Sequence, residues 1–282
     1  MDDIEKLITW TQTIASRWDL TLDEPIKLTA KGVVYKVSAG GRPAVLKARN
    51  RYGVEGGAVP FLKQVPSGIA ADLLRSSPLR RVVLLEFVDG KTLRQIADEG
   101  DEASAEILLA EAAAQLKRAH FPFPFVLADL GKKMASRVKY LAPRLSAPNS
   151  QYLERTASLL NHLIQTTKRK SVIHGDLHFG NLILSSNGVR MIDAKGFRAD
   201  PSAEFATALV NSDWGQSLNN FSETIERRAR VFGPIIQEES QRVIQWGAAI
   251  WIIRNLGKDL RKGPPQTNHN PFISRFLELA RA

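Results

Sequence analysis

Cysteine does not occur in these 282 residues. Its absence excludes a disulfide framework and any thiolate metal site, and a reducing compartment costs such a chain nothing. Long apolar runs are missing too: the longest, Val243 to Ile253, is broken by Gln245 and too short to cross a bilayer. The opening segment MDDIEKLITWTQTIASRW places acids where a signal peptide needs positive charge. Together these absences predict a cytoplasmic chain with no membrane partner. No internal repeat, no low-complexity tract and no GxGxxG motif occurs either.

With 44% hydrophobic and 24% charged residues the composition is that of an ordinary globular protein, long enough for one large domain or two modest ones. The net charge of +10 invites a nucleic-acid reading. The basic clusters, Lys132-Lys133 with Arg137 and Lys139, and Lys168-Arg169-Lys170, lack interleaved aromatic residues to stack on bases. A solvated basic surface is therefore expected, and nucleic acid is not an expected partner.

Apolar residues at Ile4, Leu7, Ile8, Ile14 and Trp18 predict an amphipathic helix over residues 3–18. Strand-like pieces follow at 25–29, 33–38 and 43–48, the last two joined by Ala39-Gly40-Gly41-Arg42. A short helix is expected over 54–63, then two strands, GIAADLL and RVVLLEFV, joined by a turn at Ser76-Ser77-Pro78. Beyond Asp89-Gly90 helical periodicity takes over, at 92–97, 102–118, 127–141, 151–165, 202–211, 221–232, 238–256 and 271–280. One β island interrupts it: Val172-Ile173, a polar loop, Leu182 to Leu184, a Ser186-Asn187-Gly188 turn and Val189 to Ile192. The expectation is an α+β protein of two lobes, an antiparallel β-lobe over 1–89 and a larger, mainly helical lobe over 90–282. The hinge is expected at about 86–91. This is the outline of a two-lobed, protein-kinase-like fold.

The polar loop, His174-Gly175-Asp176-Leu177-His178-Phe179-Gly180-Asn181, carries the chemistry. Asp176 and Asn181 have the Asp-x4-Asn spacing of a kinase catalytic loop, in which the aspartate is the base and the asparagine holds a metal. One hairpin later Met191-Ile192-Asp193 ends an apolar strand on an acid, a natural second ligand for a magnesium ion that bridges nucleotide phosphates. An isolated Asp-x4-Asn is a common turn pattern; the series of strand, HGD, asparagine, hairpin, strand and aspartate is what points to phosphoryl transfer. His174 and His178, four apart, suggest zinc only if they share a helix face, and Gly175 and Gly180 argue against a helix. His174 is read as holding the loop, and His178 as either a substrate contact or a surface residue.

On the nucleotide side, Lys47 ends the strand Ala44-Val45-Leu46-Lys47, where a phosphate-binding lysine belongs, although a strand lysine facing solvent fits the same pattern. Glu55 is the sole acid between Lys47 and Asp72 and so the candidate for its ion pair. Gly32, in Thr29-Ala30-Lys31-Gly32-Val33, occupies the position of a phosphate-covering loop. Glu86 and Val88 fall at the connector, where backbone groups would meet an adenine.

With RWDL at 17–20, AVLK at 44–47, LLEFVDGKTL at 84–93, HGDLHFGN at 174–181 and IDAKGFRADP at 192–201, the sequence resembles the aminoglycoside/hydroxyurea phosphotransferase family, particularly its streptomycin kinase branch. The resemblance implies ATP and Mg2+ as cofactors and a small-molecule hydroxyl as acceptor. It implies Asp176 as catalytic base, Asn181 and Asp193 as magnesium ligands and Lys47 as a phosphate contact. Ala194 stands where the family usually has proline. Asp200-Pro201 reads better as a helix cap than as a site residue.

Acids after Asp200 are matched by lysine and arginine, so a neutral or anionic acceptor is expected in place of a polycationic antibiotic. Of the tryptophans, Trp246 and Trp251 are expected in the core and Trp214 on a loop. A catalytically silent nucleotide-binding protein and a nucleic-acid binder remain as readings from other classes, and nothing specifies an oligomeric state.

Overall fold

A computed structural model of the chain describes residues 3–29, 31–49, 57–77, 81–211, 217–259 and 270–282. It opens with helix α1 (Asp3–Arg17) laid over a five-stranded sheet of order β1-β2-β3-β5-β4, antiparallel at every described pairing. The strands are β1 (Leu20–Thr29), β2 (Gly32–Ala39), β3 (Arg42–Arg49), β4 (Leu73–Ser77) and β5 (Val82–Glu86).

Side chains alternate across a strand, and here the alternation separates two jobs. Val33, Tyr35, Val37, Ala44, Leu46, Ala48, Val82 and Leu84 are buried against Leu7, Ile14 and Ala15 of α1. The opposite face, with Val34, Lys47 and Val83 in register, looks toward the second lobe. The β2–β3 hairpin turns on Gly40 and Gly41, whose φ values of 57° and 78° suit a two-residue loop that matches strand twist. β1 starts five residues earlier than expected, because Leu20 and Leu22 add to the α1-side core.

The stretch GIAADLL is not a strand throughout: β4 begins only at Leu73, and Ser76 and Ser77 lie inside it, not in a turn. Ile69 and Ala70 are buried in the core of the second lobe, and the backbone crosses to that lobe. Met191 N–H donates to Ile69 O at 2.9 Å and Ala71 N–H to Met191 O at 2.9 Å. An apolar run that reads as a strand is thus buried by another lobe. The helix expected over 54–63 is α2 (Ala58–Leu62), whose Phe61 is buried in that same second core, residues 54–56 lying outside the described set.

The second lobe begins at β6 (Lys91–Thr92) and α3 (Leu93–Asp98), where Thr92 and Gln95 form a reciprocal capping box. Next come α4 (Glu102–Arg118), α5 (Leu130–Leu141) and α6 (Asn149–Thr166). α5 starts three residues later than its apolar periodicity suggests, because the Asp129 carboxylate accepts from Lys132 N–H at 3.0 Å and caps it there. The island supplies β7 (Ser171–Ile173), β8 (Leu182–Ser185) and β9 (Gly188–Met191), with β8 pairing both β6 and β9. An unforeseen β10 (Phe197–Ala199) pairs with β7.

The helix expected over 202–211 is two short 3-10 turns, Pro201–Ala206 and Ala208–Val210. Pro201, Ala203, Phe205, Ala206, Ala208 and Leu209 are all buried, so this segment has no polar face to offer solvent as an amphipathic helix would. α7 (Leu218–Ile235), α8 (Ser240–Asp259) and α9 (Pro271–Leu279) close the lobe. The apolar run Val243–Ile253 lies in α8, packed against its neighbours through the buried Trp246, Ile250 and Ile253. Among the described residues no helix is long and apolar enough to cross a membrane.

Candidate active site

The loop between β7 and β8 is fixed from beneath by a buried carboxylate. Glu204 accepts from His174 N–H at 2.6 Å and Gly175 N–H at 2.9 Å. Burial pushes its pKa up to about 7 against those two donors. His174, also buried, presents Nε2 to Ile192 O at 2.9 Å and Nδ1 to Asp176 N–H at 3.3 Å. A carbonyl only accepts and an amide N–H only donates, so the ring is the neutral Nε2–H tautomer. Burial agrees, drawing the His174 pKa down to about 4. Gly175 holds φ at 81°, and a Cβ there would stand 2.5 Å from the Phe197 ring. Each residue of the HGD run therefore has a local structural reason.

Asp176 is held by its own lobe. Its Oδ1 accepts from the Thr207 hydroxyl at 3.2 Å and its Oδ2 lies 3.2 Å from Lys195 Nζ. Arg254 braces this arrangement, donating to Thr207 Oγ1 at 3.1 Å and Gly175 O at 3.3 Å. Burial pushes the Asp176 carboxyl up, but Lys195 and Arg254 outweigh it and leave it below its ordinary value. Asn181 donates Nδ2–H to Asp176 O at 2.9 Å, which fixes the amide so that Oδ1 is the face left for a ligand.

Asp193 sits beside this loop because Ile192 N–H donates to Asn181 O at 2.9 Å. Its φ of 58° is left-handed, a costly conformation for a non-glycine residue, of the kind that clusters at functional sites. Lys47 Nζ crosses from the other lobe to within 2.5 Å of Asp193 Oδ1, and Arg49 reaches the same oxygen. Burial raises the Asp193 pKa, yet Lys47 and Arg49 bring it down to about 2. Lys47 itself is lowered, chiefly by burial. The structure thus brings Asp176, Asn181, Asp193 and Lys47 together; Glu55, the sequence candidate for the lysine's partner, lies outside the described residues.

The remaining candidates spread along the cleft. Gly32 closes the β1–β2 turn through Thr29 Oγ1, at 3.1 Å from its N–H, and a Cβ would stand 3.0 Å from Ala48 O. The Glu86 carboxylate is engaged with Arg190 at 2.6 Å and Asp72 N–H at 3.1 Å, and Arg190 also donates to Ala70 O at 2.7 Å. Val88 is buried at the connector. A cavity of about 940 Å³ opens between α2, β5 and the segment 122–126. Of the sequence candidates among the described residues, Lys47 and Asp193 line it.

His178 accepts from Gly180 N–H through Nδ1 at 3.1 Å, and among the described residues no group of three or more His, Asp or Glu side chains forms a metal cluster. Asp200 does cap the turn that follows, accepting from Ser202 N–H at 3.0 Å, and also pairs with Arg242 at 2.7 Å. Trp246 is buried and Trp251 packs on Phe221 and Phe276, while Trp214 lies outside the described residues.

Sequence reasoning missed Arg49, Lys195, Thr207, Glu204, Arg190 and Arg254. Arg49 had a signal, since it lies two residues beyond Lys47 on the same strand face; Lys195 had one inside IDAKGF. Glu204 is the one charged residue in the run Pro201 to Val210.

The profile described as aminoglycoside/hydroxyurea antibiotic resistance kinase matches residues 17–253. No curated protein matches the chain. Among solved structures, a choline/ethanolamine kinase family protein from Mesorhizobium loti is 14% identical, covers 100% of this chain and 99% of its own, and has a TM-score of 0.66. The choline kinase LicA from Streptococcus pneumoniae is 13% identical over 98% of this chain and 97% of its own, at a TM-score of 0.64. The aminoglycoside phosphotransferase APH(4)-Ia is 11% identical over 97% and 98%, at 0.67; a thermostable mutant of it was solved as a ternary complex with ADP and hygromycin B. At such low identity these likenesses establish the two-lobed, protein-kinase-like fold over the whole chain.

Proposed function

The chain belongs to the aminoglycoside/hydroxyurea antibiotic resistance kinase family, and from that premise we propose that it transfers the γ-phosphoryl group of ATP to a hydroxyl of a small molecule, with Mg2+. The observation that carries this is one juxtaposition. Asp176 and Asn181 share a loop, Asn181 is bonded through its backbone to the strand end bearing Asp193, and Lys47 from the β-lobe meets Asp193 at 2.5 Å.

In this reading Asp176 orients the acceptor hydroxyl and takes its proton as the oxygen bonds to the γ-phosphorus, whose bond to the β,γ-bridging oxygen breaks so that ADP leaves. A carboxylate held below its ordinary pKa is a weak base, suited to accept that proton late, when the oxygen has already become acidic. Lys195 and Thr207 hold the carboxylate in place, and Lys47 binds the nucleotide phosphates. Asn181 Oδ1 and the Asp193 carboxylate are hard oxygen donors, few in number, which suits magnesium. Held by these two residues, magnesium would supply charge neutralisation to the nucleotide phosphates. Gly32, Glu86 and Val88 are assigned to the nucleotide side, with 1–89 and 90–282 as the two lobes, and the reaction is placed in the cytoplasm.

The acceptor is read as neutral or anionic. Lys195 and Arg254 stand around Asp176, and Arg94 beside His178, a setting that repels polycations. ADP release with MgATP tests both levels, using streptomycin, hygromycin B and choline against glycerate, gluconate and neutral polyols. Turnover with an acid or a polyol is the expected result; turnover with streptomycin alone would reverse the acceptor class and keep the kinase.

A further inference from the structure

We propose that Arg49 is a second phosphate-binding residue for the nucleotide, and that with Lys47 it serves as the internal counter-charge of Asp193 until the nucleotide arrives. This rests on the kinase reading above.

Lys47 and Arg49 are two residues apart on β3 and therefore share its cleft face. Both cationic ends reach one oxygen, Asp193 Oδ1, with Lys47 Nζ at 2.5 Å. The two side chains are only 15% and 25% exposed, so neither is a loose surface charge that happened to fall there.

Asp193 is meanwhile held from behind. Ile192 N–H is bonded to Asn181 O at 2.9 Å, and Lys195 and Gly196 N–H to His174 O at 2.9 and 3.0 Å. The carboxylate stays with the helical lobe while its two cations belong to the β-lobe. Polyphosphate entering between the lobes offers those cations a better partner, because a guanidinium fork matches phosphate oxygens in pairs.

Gly32 gives Arg49 its place. A Cβ on Gly32 would stand 3.3 Å from Arg49 Cγ. The glycine at the expected phosphate-covering turn thus leaves room for the arginine stem, and Arg49 lies between that turn and Asp193. A divalent cation arriving alone meets an oxygen already occupied by two cations. The nucleotide draws Lys47 and Arg49 to its phosphates and frees Asp193, so metal and nucleotide bind together.

Calorimetry on the full chain tests this with MgATP, MgADP and adenosine, for wild type, Arg49→Met and Arg49→Lys, alongside Mn2+ titrations followed by electron paramagnetic resonance without nucleotide. Arg49→Met is expected to weaken MgATP by about 10- to 100-fold, to leave adenosine within about 2-fold, and to tighten Mn2+ alone by about 10-fold; Arg49→Lys recovers part of the MgATP loss. Unchanged MgATP affinity in Arg49→Met, or an equal loss for adenosine, would overturn the role of Arg49 and leave the kinase standing. Wild-type protein that binds no nucleotide would sink both.

Discussion

The two aspartates of the site are held in opposite ways. Asp193 receives its cations, Lys47 and Arg49, from the β-lobe across the cleft. Asp176 receives its partners, Lys195 and Thr207, from its own lobe, with Arg254 behind them and Glu204 fixing the loop beneath. The state of Asp193 therefore depends on how the lobes stand and on what lies between them, whereas that of Asp176 is built into one rigid body. In the role proposed for Asp176, orienting an acceptor, pre-organisation is an advantage. In the role proposed for Asp193, sharing a metal with an arriving nucleotide, partners that can be exchanged are an advantage.

The sharpest break of this contrast is the pair Asp176→Asn and Asp193→Asn. With Asp176 as the base proposed above, Asp176→Asn should lower turnover by about 10³-fold or more and keep the thermal stabilisation given by MgATP, because losing a positioned base costs the chemical step and leaves nucleotide binding intact. Asp193→Asn should lose most of that stabilisation as well. Equal MgATP shifts in the two variants would erase the distinction.

A second, smaller effect isolates the foundation under Asp176. Glu204 has a pKa raised from 4.5 to about 7, so between those values the native state holds a proton that the unfolded state has released. Stability should fall as pH rises through this window, by on the order of 3 kcal/mol in full. His174, lowered from 6.5 to about 4, and His178, also lowered, act in the opposite sense while the unfolded imidazoles titrate, so the Glu204 contribution is read as the difference between wild type and Glu204→Gln. The melting temperature of wild type relative to that of Glu204→Gln should fall as pH rises from about 5 to about 8. Parallel pH profiles in the two proteins would remove Glu204 as the cause.

Smallest is Lys195→Met. It deletes the strongest of the influences that lower Asp176, so the acid limb of the kcat/KM profile should move upward in pH, with turnover reduced about 10-fold and the KM for ATP little changed. Lys195→Arg should restore the wild-type limb. A raised KM with an unshifted limb would place Lys195 on the nucleotide instead.

The separation between Asp176, Asn181 and Asp193 was legible in the chain because these residues sit on one loop and one hairpin, where spacing along the sequence is nearly spacing in space. Lys47 was legible from its place at the end of the strand that follows the first hairpin, which named neither its face nor its partner. Asp129 shows the limit of periodicity: apolar spacing favoured a helix from Leu127, and a single capping carboxylate moved its start to Leu130. GIAADLL shows another, since an apolar run does not say which lobe will bury it, and Ile69 and Ala70 went to the far one.

By itself, then, the sequence determined the division into a β-lobe and a helical lobe, the catalytic-type loop with its following acid, and the absence of thiol chemistry. These depend on local periodicity, on short spacings and on residue type. Only the tertiary structure decided which charges face which carboxylate. Arg49 meets Asp193, Lys195 meets Asp176, and Arg190 ties Glu86 to Ala70. Contacts between side chains far apart in the chain leave no periodic trace, because they are set by how two packed bodies meet and by which carboxylate lies within reach.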